Sequence, residues 1–176
     1  MTLATWITVS RLLALPFLLY TLQGNIGDSP TPTLRWACLA VFAVAASTDW
    51  LDGYVARKLN QVTDLGKFLD PLVDKLLILG PLIALVELGQ IPAWSVVIIL
   101  TRELAIAGWR VQQTQISGAN GWGKVKTVVQ IIAVSLLIAP LSGIWTQISL
   151  LSYAISILLT VISGIVYVWP QPVHST

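Results

Sequence analysis

Five of the eight acidic residues in the sequence, Asp49, Asp52, Asp64, Asp70 and Asp74, fall between positions 49 and 74. Asp49 and Asp52 are three apart and share a face of any helix that carries them; Asp70 and Asp74, four apart, do the same on the next helix. Four carboxylates gathered at one place repel one another and take up protons unless a cation sits between them. All-oxygen ligands with no His or Cys nearby favour Mg²⁺ or Mn²⁺ over zinc or copper. Two such ions, held a few ångströms apart, could clamp a phosphate on its entering and leaving oxygens. Asp64 is read separately, as an interfacial charge or a helix cap.

The neighbours of these acids extend the chemistry. Gly53 and Ala56 follow Asp49 at offsets of four and seven, so the helix surface beside the carboxylates is nearly bare of side chains and a flat ligand could lie on it. Arg57 closes that face with a guanidinium suited to a phosphate. Gly66 permits a tight turn in the connection, and Asp70 followed by Pro71 reads as a helix start with proline at its first position. Together these residues describe a site for a nucleotide diphosphate.

The elements that must carry the site are membrane helices. Of 176 residues, 56% are apolar and 10% charged, against about 25% charged in a soluble domain. Apolar runs of about 20 residues, each enough to span a hydrocarbon core, occur at 3 to 22, 34 to 56, 71 to 89, 92 to 111, 122 to 140 and 145 to 169. Lipid cannot satisfy backbone polar groups, so these spans must be helices. The expected fold is all-α, a bundle of six transmembrane helices forming one domain over residues 1–176. The amino-terminal segment around Trp6, Thr8 and Arg11 is expected to lie partly along the interface, and Arg11 argues against reading it as a cleaved signal peptide. Short connections around Gly89 to Pro92 and Pro140 to Gly143 force antiparallel neighbours.

Arg57, Lys58 and Lys67 follow span 2, and Arg110, Lys124 and Lys126 follow span 4, whereas the opposite connections offer Arg35. Basic residues mark the cytoplasmic side, which puts the carboxylates and both termini there. Trp6, Trp36, Trp94, Trp109, Trp122, Trp145 and Trp169 fall near span ends, as in an interfacial aromatic belt. The single Cys38 has no partner and reads as a small buried hydrophobe, and His174 as part of a disordered tail. With a formal net charge of +2, no nucleic-acid partner is expected.

Residues 49 to 74 reproduce the pattern D-x2-D-G-x2-A-R-x8-G-x3-D-x3-D in full, and the chain on this ground resembles the CDP-alcohol phosphatidyltransferase family. The resemblance implies a six-helix membrane enzyme, commonly a homodimer, with its site at the cytoplasmic face. It implies that Asp49, Asp52, Asp70 and Asp74 hold the metal ions and that Asp74 also acts as general base on the acceptor hydroxyl. It further implies that Gly53, Ala56, Arg57 and Gly66 contact the CDP part of the donor, CDP-diacylglycerol, with Thr63 and Thr8 as further contacts. Relatives carry Pro-Asn and then a Thr before an Arg near the amino terminus; here Thr8 and Arg11 match, while Ala4 and Thr5 stand in place of Pro-Asn.

Segments Thr101-Arg102-Glu103 to Arg110 and Gly123-Lys124-Val125-Lys126-Thr127 resemble the branch of that family whose acceptor is glycerol 3-phosphate, which would yield phosphatidylglycerophosphate and CMP. An anionic acceptor needs cations beyond Arg57, and Arg102, Arg110, Lys124 and Lys126 supply them on the cytoplasmic side. Phosphatidylglycerol, serine or an inositol phosphate as acceptor stays open, as does a divalent-cation permeation path, although a transporter would spread its polar groups across the midplane in related halves. The expected location is the cell (inner) membrane. Single cysteines placed at Ser117 and Ser142 in a Cys38→Ala background test the orientation: an impermeant thiol reagent on intact cells should label the position-142 variant, and the position-117 variant only after the membrane is opened.

Overall fold

The computed structural model describes the backbone of residues 3–23, 31–59, 64–112 and 121–168, and the side chains of residues 8–23, 31–48, 71–108, 123 and 125–166. Within these limits the chain is six helices and no strand: α1 Leu3–Gln23, α2 Pro32–Leu59, α3 Asp64–Glu87, α4 Ala93–Gln112, α5 Gly121–Ile138 and α6 Ile144–Val168. Each coincides with one of the apolar runs. The expectation that α3 starts at Asp70 is corrected: the helix begins at Asp64, and both Gly66 and Pro71 lie inside it. Pro71, well inside α3, costs the helix one backbone donor yet does not end it, and Asp64 is the first residue of the helix.

One end of the bundle is built from short connections. Gly89 and Gly143 adopt φ values of 69° and 64°, a conformation that other residues reach only with strain. At Gly89 the turn is closed by Gln90 N–H donating to Leu85 O at 3.0 Å and Gly89 N–H to Val86 O at 2.9 Å, which satisfies carbonyls that the end of α3 would leave bare. At the same end Arg35 of α2 donates through Nε to Ile138 O at 3.0 Å and through Nη2 to Leu137 O at 2.8 Å and Gln90 Oε1 at 2.9 Å. One side chain thereby ties α2 to the last turn of α5 and to the α3–α4 turn. Gln23 and Glu87 join the ends of α1 and α3 alongside it. The opposite end carries the acidic motif.

Between the ends, α1 packs on α2 and α3, α5 on α6, and α4 on α6, with α5 also touching α2 and α3. The core is Leu18 and Leu22 of α1, Phe42 of α2, Leu82 and Leu85 of α3, Ile99 of α4, and Val134 and Ile138 of α5, all fully buried. Cys38, also fully buried, sits among them as expected.

The sidedness of α6 is reversed relative to a helix in a water-soluble protein. Ser149, Ser156, Thr160 and Ser163 face inward and are buried, whereas Ile144, Leu151, Leu158 and Ile165 face outward, 56–69% exposed. Water would select the opposite arrangement; hydrocarbon selects this one. Over Ile144–Val166 this helix is also the one among the described residues that is long and apolar enough by itself to cross a membrane. Trp36, Trp94 and Trp145 are more than half exposed around the Arg35 end, where an aromatic belt was expected; Trp6, Trp109, Trp122 and Trp169 lie outside the described side chains.

Where α1 crosses α3, Gly80 admits the side chain of Leu15: a Cβ at position 80 would come within 2.6 Å of Leu15 Cδ1. The neighbouring Pro81 is buried in the same helix. Small residues that let helices approach are how packing holds membrane bundles together. Gly80→Ala should be absorbed by a turn of the Leu15 side chain, whereas Gly80→Ile should overpack the crossing and destabilise by about 1–3 kcal/mol, read as a lowered thermal midpoint of the detergent-solubilised protein.

Candidate active site

The backbone of α2 is helical through Leu59, so Asp49, Asp52, Gly53, Ala56 and Arg57 keep the helical spacing on which their shared-face reading depends. Asp70 and Asp74 are likewise on one uninterrupted helix, α3. The side chains of Asp49, Asp52, Ala56, Arg57, Asp70, Arg110 and Lys124, the surroundings of Gly53 and Gly66, and all of Thr63 lie outside what the structure describes. Asp74 is therefore the member of the carboxylate set whose side-chain geometry is on view.

Asp74 is anchored from α1. The guanidinium of Arg11 donates through Nη1 to Asp74 Oδ1 at 2.7 Å. Arg11 is 2% exposed and the Asp74 side chain 38%, so the arginine is sunk in protein while the carboxylate still reaches the surface of the site. Thr8, one turn earlier on α1, is buried to the same degree. These two side chains were expected to lie toward the membrane interface; instead they face inward, because α1 is one continuous helix that turns this face onto α2 and α3. A buried charge in such a place must be paired, and the charge-assisted bond to Asp74 meets that requirement. Sequence reasoning matched Arg11 to a motif without assigning it a partner, and a charge inside an apolar run was the available signal.

A second polar cluster lies between α4, α5 and α6 at the same end of the bundle. Glu103 Oε1 accepts from Arg102 Nη1 at 3.1 Å and forms an ion pair with Lys126 Nζ. Arg102 also donates through Nη2 to Ser163 Oγ at 2.9 Å, and Gly164 makes room for its stem, since a Cβ there would stand 3.2 Å from Arg102 Cγ. Two of the four cations assigned to the acceptor thus converge, and they share one carboxylate, which leaves the trio with a net positive charge. Glu103 as the common acceptor, Ser163 as a support and Gln130, one turn beyond Lys126 on α5, were not singled out from sequence. Gln130 is 2% exposed, and its Nε2 and Arg102 Nε are buried donors without an acceptor among the described residues. Buried donors of this kind are costly unless an oxygen ligand completes them.

Among the described residues no group of three or more Asp, Glu, His or Cys gathers; the side chains of Asp49, Asp52 and Asp70 lie outside them. The donor chemistry itself, four carboxylates from two helices at one end of the bundle, suits hard oxygen-seeking ions such as Mg²⁺ or Mn²⁺.

The sequence is similar to known proteins over most of its length. The family model described as CDP-alcohol phosphatidyltransferase matches residues 1–168. A CDP-diacylglycerol–glycerol-3-phosphate 3-phosphatidyltransferase of Bacillus subtilis is 39% identical, with 90% of this chain and 89% of that protein covered. A probable phosphatidylglycerophosphate synthase of Mycobacterium tuberculosis is 41% identical over 94% of this chain and 79% of its own length, and a Haemophilus influenzae protein with the same name as the Bacillus one is 31% identical over 93% and 86%. The chain belongs to the CDP-alcohol phosphatidyltransferase family.

The Arg11–Asp74 pair yields a specific expectation. Arg11→Ala should lower turnover of the phosphatidyl transfer about 10- to 100-fold, the scale of a misplaced reacting group, with a smaller change in the KM for either substrate. Arg11→Lys, which keeps the charge and loses the fork, should recover part of that turnover; steady-state CMP release measures both.

Proposed function

We propose that this chain transfers a phosphatidyl group from CDP-diacylglycerol to glycerol 3-phosphate, releasing CMP and giving phosphatidylglycerophosphate. The observation that carries the reading is the coincidence, along nearly the whole chain, of similarity to relatives named for this reaction with the complete acidic motif of residues 49 to 74. The cationic trio at the same end supports the choice of acceptor: Arg102, Lys126 and the unsatisfied donors beside them ask for an anionic oxygen ligand, and the phosphate of glycerol 3-phosphate is one. Arg110 and Lys124 are assigned to the same phosphate on their position near the facing ends of α4 and α5.

In this reading Asp49, Asp52, Asp70 and Asp74 hold Mg²⁺ or Mn²⁺, two ions by the count of carboxylates, which would neutralise the donor diphosphate and its developing charge. Thr8, Gly53, Ala56, Arg57, Thr63 and Gly66 bind and orient the CDP moiety. Asp74 takes the proton from the acceptor hydroxyl as that oxygen attacks the phosphorus bearing the diacylglycerol; the phosphorus–oxygen bond to CMP breaks, and CMP leaves with the electron pair. Arg11 restrains the carboxylate so that proton and phosphorus can be met together.

The same reading takes all six helices as membrane spans of a single domain over 1–176, in the cell membrane, with the site and both termini cytoplasmic and a homodimer as the working unit. The outward apolar face of α6, together with buried serines and threonines on its inner side, supports a lipid surround. The clustering of Arg102, Glu103, Lys126, Arg11 and Asp74 at one end supports a single wet face.

The test is CMP release by purified protein supplied with CDP-diacylglycerol, Mg²⁺ or Mn²⁺ and one acceptor at a time. Glycerol 3-phosphate should support release; phosphatidylglycerol, serine and inositol phosphate should not. Asp74→Asn should lose about 10²- to 10⁴-fold, the worth of a positioned general base, and Arg102→Gln should raise the KM for glycerol 3-phosphate about tenfold, as expected for one charge-assisted bond to phosphate. Release with a different acceptor would overturn the acceptor assignment and leave the mechanism standing.

A further inference from the structure

The end of the bundle opposite the acidic motif holds a polar feature that the transfer reaction does not use. Arg35 is half-buried at the start of α2, and its three hydrogen bonds, through Nε and Nη2, all go to neutral acceptors: Ile138 O, Leu137 O and Gln90 Oε1. Capping the carbonyls at the end of α5 accounts for part of its charge, since a helix carries about half a negative charge at that terminus. It does not account for Nη1, whose two donors have no acceptor among the described residues. Nor is a carboxylate paired with the guanidinium among them; Glu87, at this end, is engaged by Gln23, and Asp28 lies outside the described residues. The cation is therefore fixed in direction by neutral groups, with the two N–H donors of Nη1 left over.

Arg35 lines a cavity of about 280 Å³ between the ends of α2, α5 and α6. Gln90, Thr146 and Ser149 contribute polar edges to it, and Leu137 and Leu150 apolar walls. Trp36, Trp94 and Trp145, each more than half exposed, surround this end of the bundle. Such a belt lies at headgroup level, where the phosphates of the surrounding lipids are found. The charge of Arg35 and the N–H donors left on Nη1 suit a phosphodiester oxygen, and the leucine walls match the glycerol and first methylenes beneath it.

We propose that Arg35 and this cavity bind the phosphodiester headgroup of an anionic phospholipid from the leaflet opposite the active site. The bound lipid completes the guanidinium and braces the junction of α2, α5 and α6 from outside. This inference rests on the six-span reading and is independent of the transfer reaction.

The experiment uses the full chain in non-ionic detergent, with lipid adducts counted by native mass spectrometry during titration with dioleoyl-phosphatidylglycerol or with dioleoylglycerol, which lacks the phosphate. Thr146→Trp fills the mouth of the cavity without touching any Arg35 hydrogen bond, and CMP release is followed in the same preparations. The expected result is that wild type retains one phosphatidylglycerol more than Thr146→Trp, with a dissociation constant for that lipid at least about tenfold lower, equivalent to about 1.4 kcal/mol. CMP release should be unchanged by the substitution, and dioleoylglycerol should show no difference between the two proteins. Arg35→Gln should lose the same adduct. Equal phosphatidylglycerol retention by wild type and a folded, active Thr146→Trp would overturn the proposal. So would displacement of the lipid by millimolar inorganic phosphate, which would make the cavity a site for free anions. Absence of CMP release from wild type would count against the enzymatic reading alone, and labelling of the position-142 variant only after membrane opening would count against the orientation alone.

Discussion

An apolar exterior presses the charged and hydroxylic side chains inside this bundle to find partners in the protein or in a ligand, and much of the observed architecture follows from that constraint. Burying a charge costs free energy that only a close partner offsets. Arg11 meets Asp74, Lys126 and Arg102 meet Glu103, and Arg35 meets the open carbonyls of α5. Arg11–Asp74, Lys126–Glu103 and Arg35 with the α5 carbonyls each join two helices, so these polar groups act as cross-bolts in a structure whose apolar contacts alone would distinguish poorly between a neighbouring helix and a lipid chain.

The bolts are not evenly distributed. At one end Arg35 uses neutral backbone acceptors and the turns are short, with Gly89 and Gly143 closing them. At the other end the contacts are between full charges, and the carboxylate of Asp74 keeps more than a third of its side-chain surface open. A rigid end of neutral bonds and a reactive end of ionic ones is a sensible division for a catalyst. The core of Leu18, Leu22, Phe42, Leu82 and Leu85 lies between them.

Much of this was legible in the sequence, for identifiable reasons. Helix placement was, because long apolar runs in a membrane admit one regular structure, and the α3–α4 and α5–α6 turns were, because Gly and Pro mark them. The acidic motif was legible as a pattern with fixed spacing. The start of α3 was misjudged because proline was taken as a helix boundary, whereas the chain accommodates Pro71 inside the helix and begins it at Asp64. The partner of Arg11 was not legible: the two residues are 63 positions apart, and only the packing of α1 on α3 brings them together. The sharing of Glu103 by Arg102 and Lys126 was hidden for the same reason. Spacing can put residues on a face, but cannot say which face meets which.

The hydroxyls of α6 carry a consequence for how such a chain is assembled. Ser149, Ser152, Ser156, Thr160 and Ser163 each donate to a carbonyl three or four residues earlier in their own helix, at 2.7 to 3.0 Å. They bring no unmet donor into hydrocarbon, so α6 can enter a bilayer as a self-sufficient rod before any neighbour is present. The α1 helix has no such independence, since Arg11 finds its counter-charge only on α3. Pairing of the charge on α1 thus waits for α3, and Arg102 of α4 gains its Ser163 acceptor only when α6 is in place.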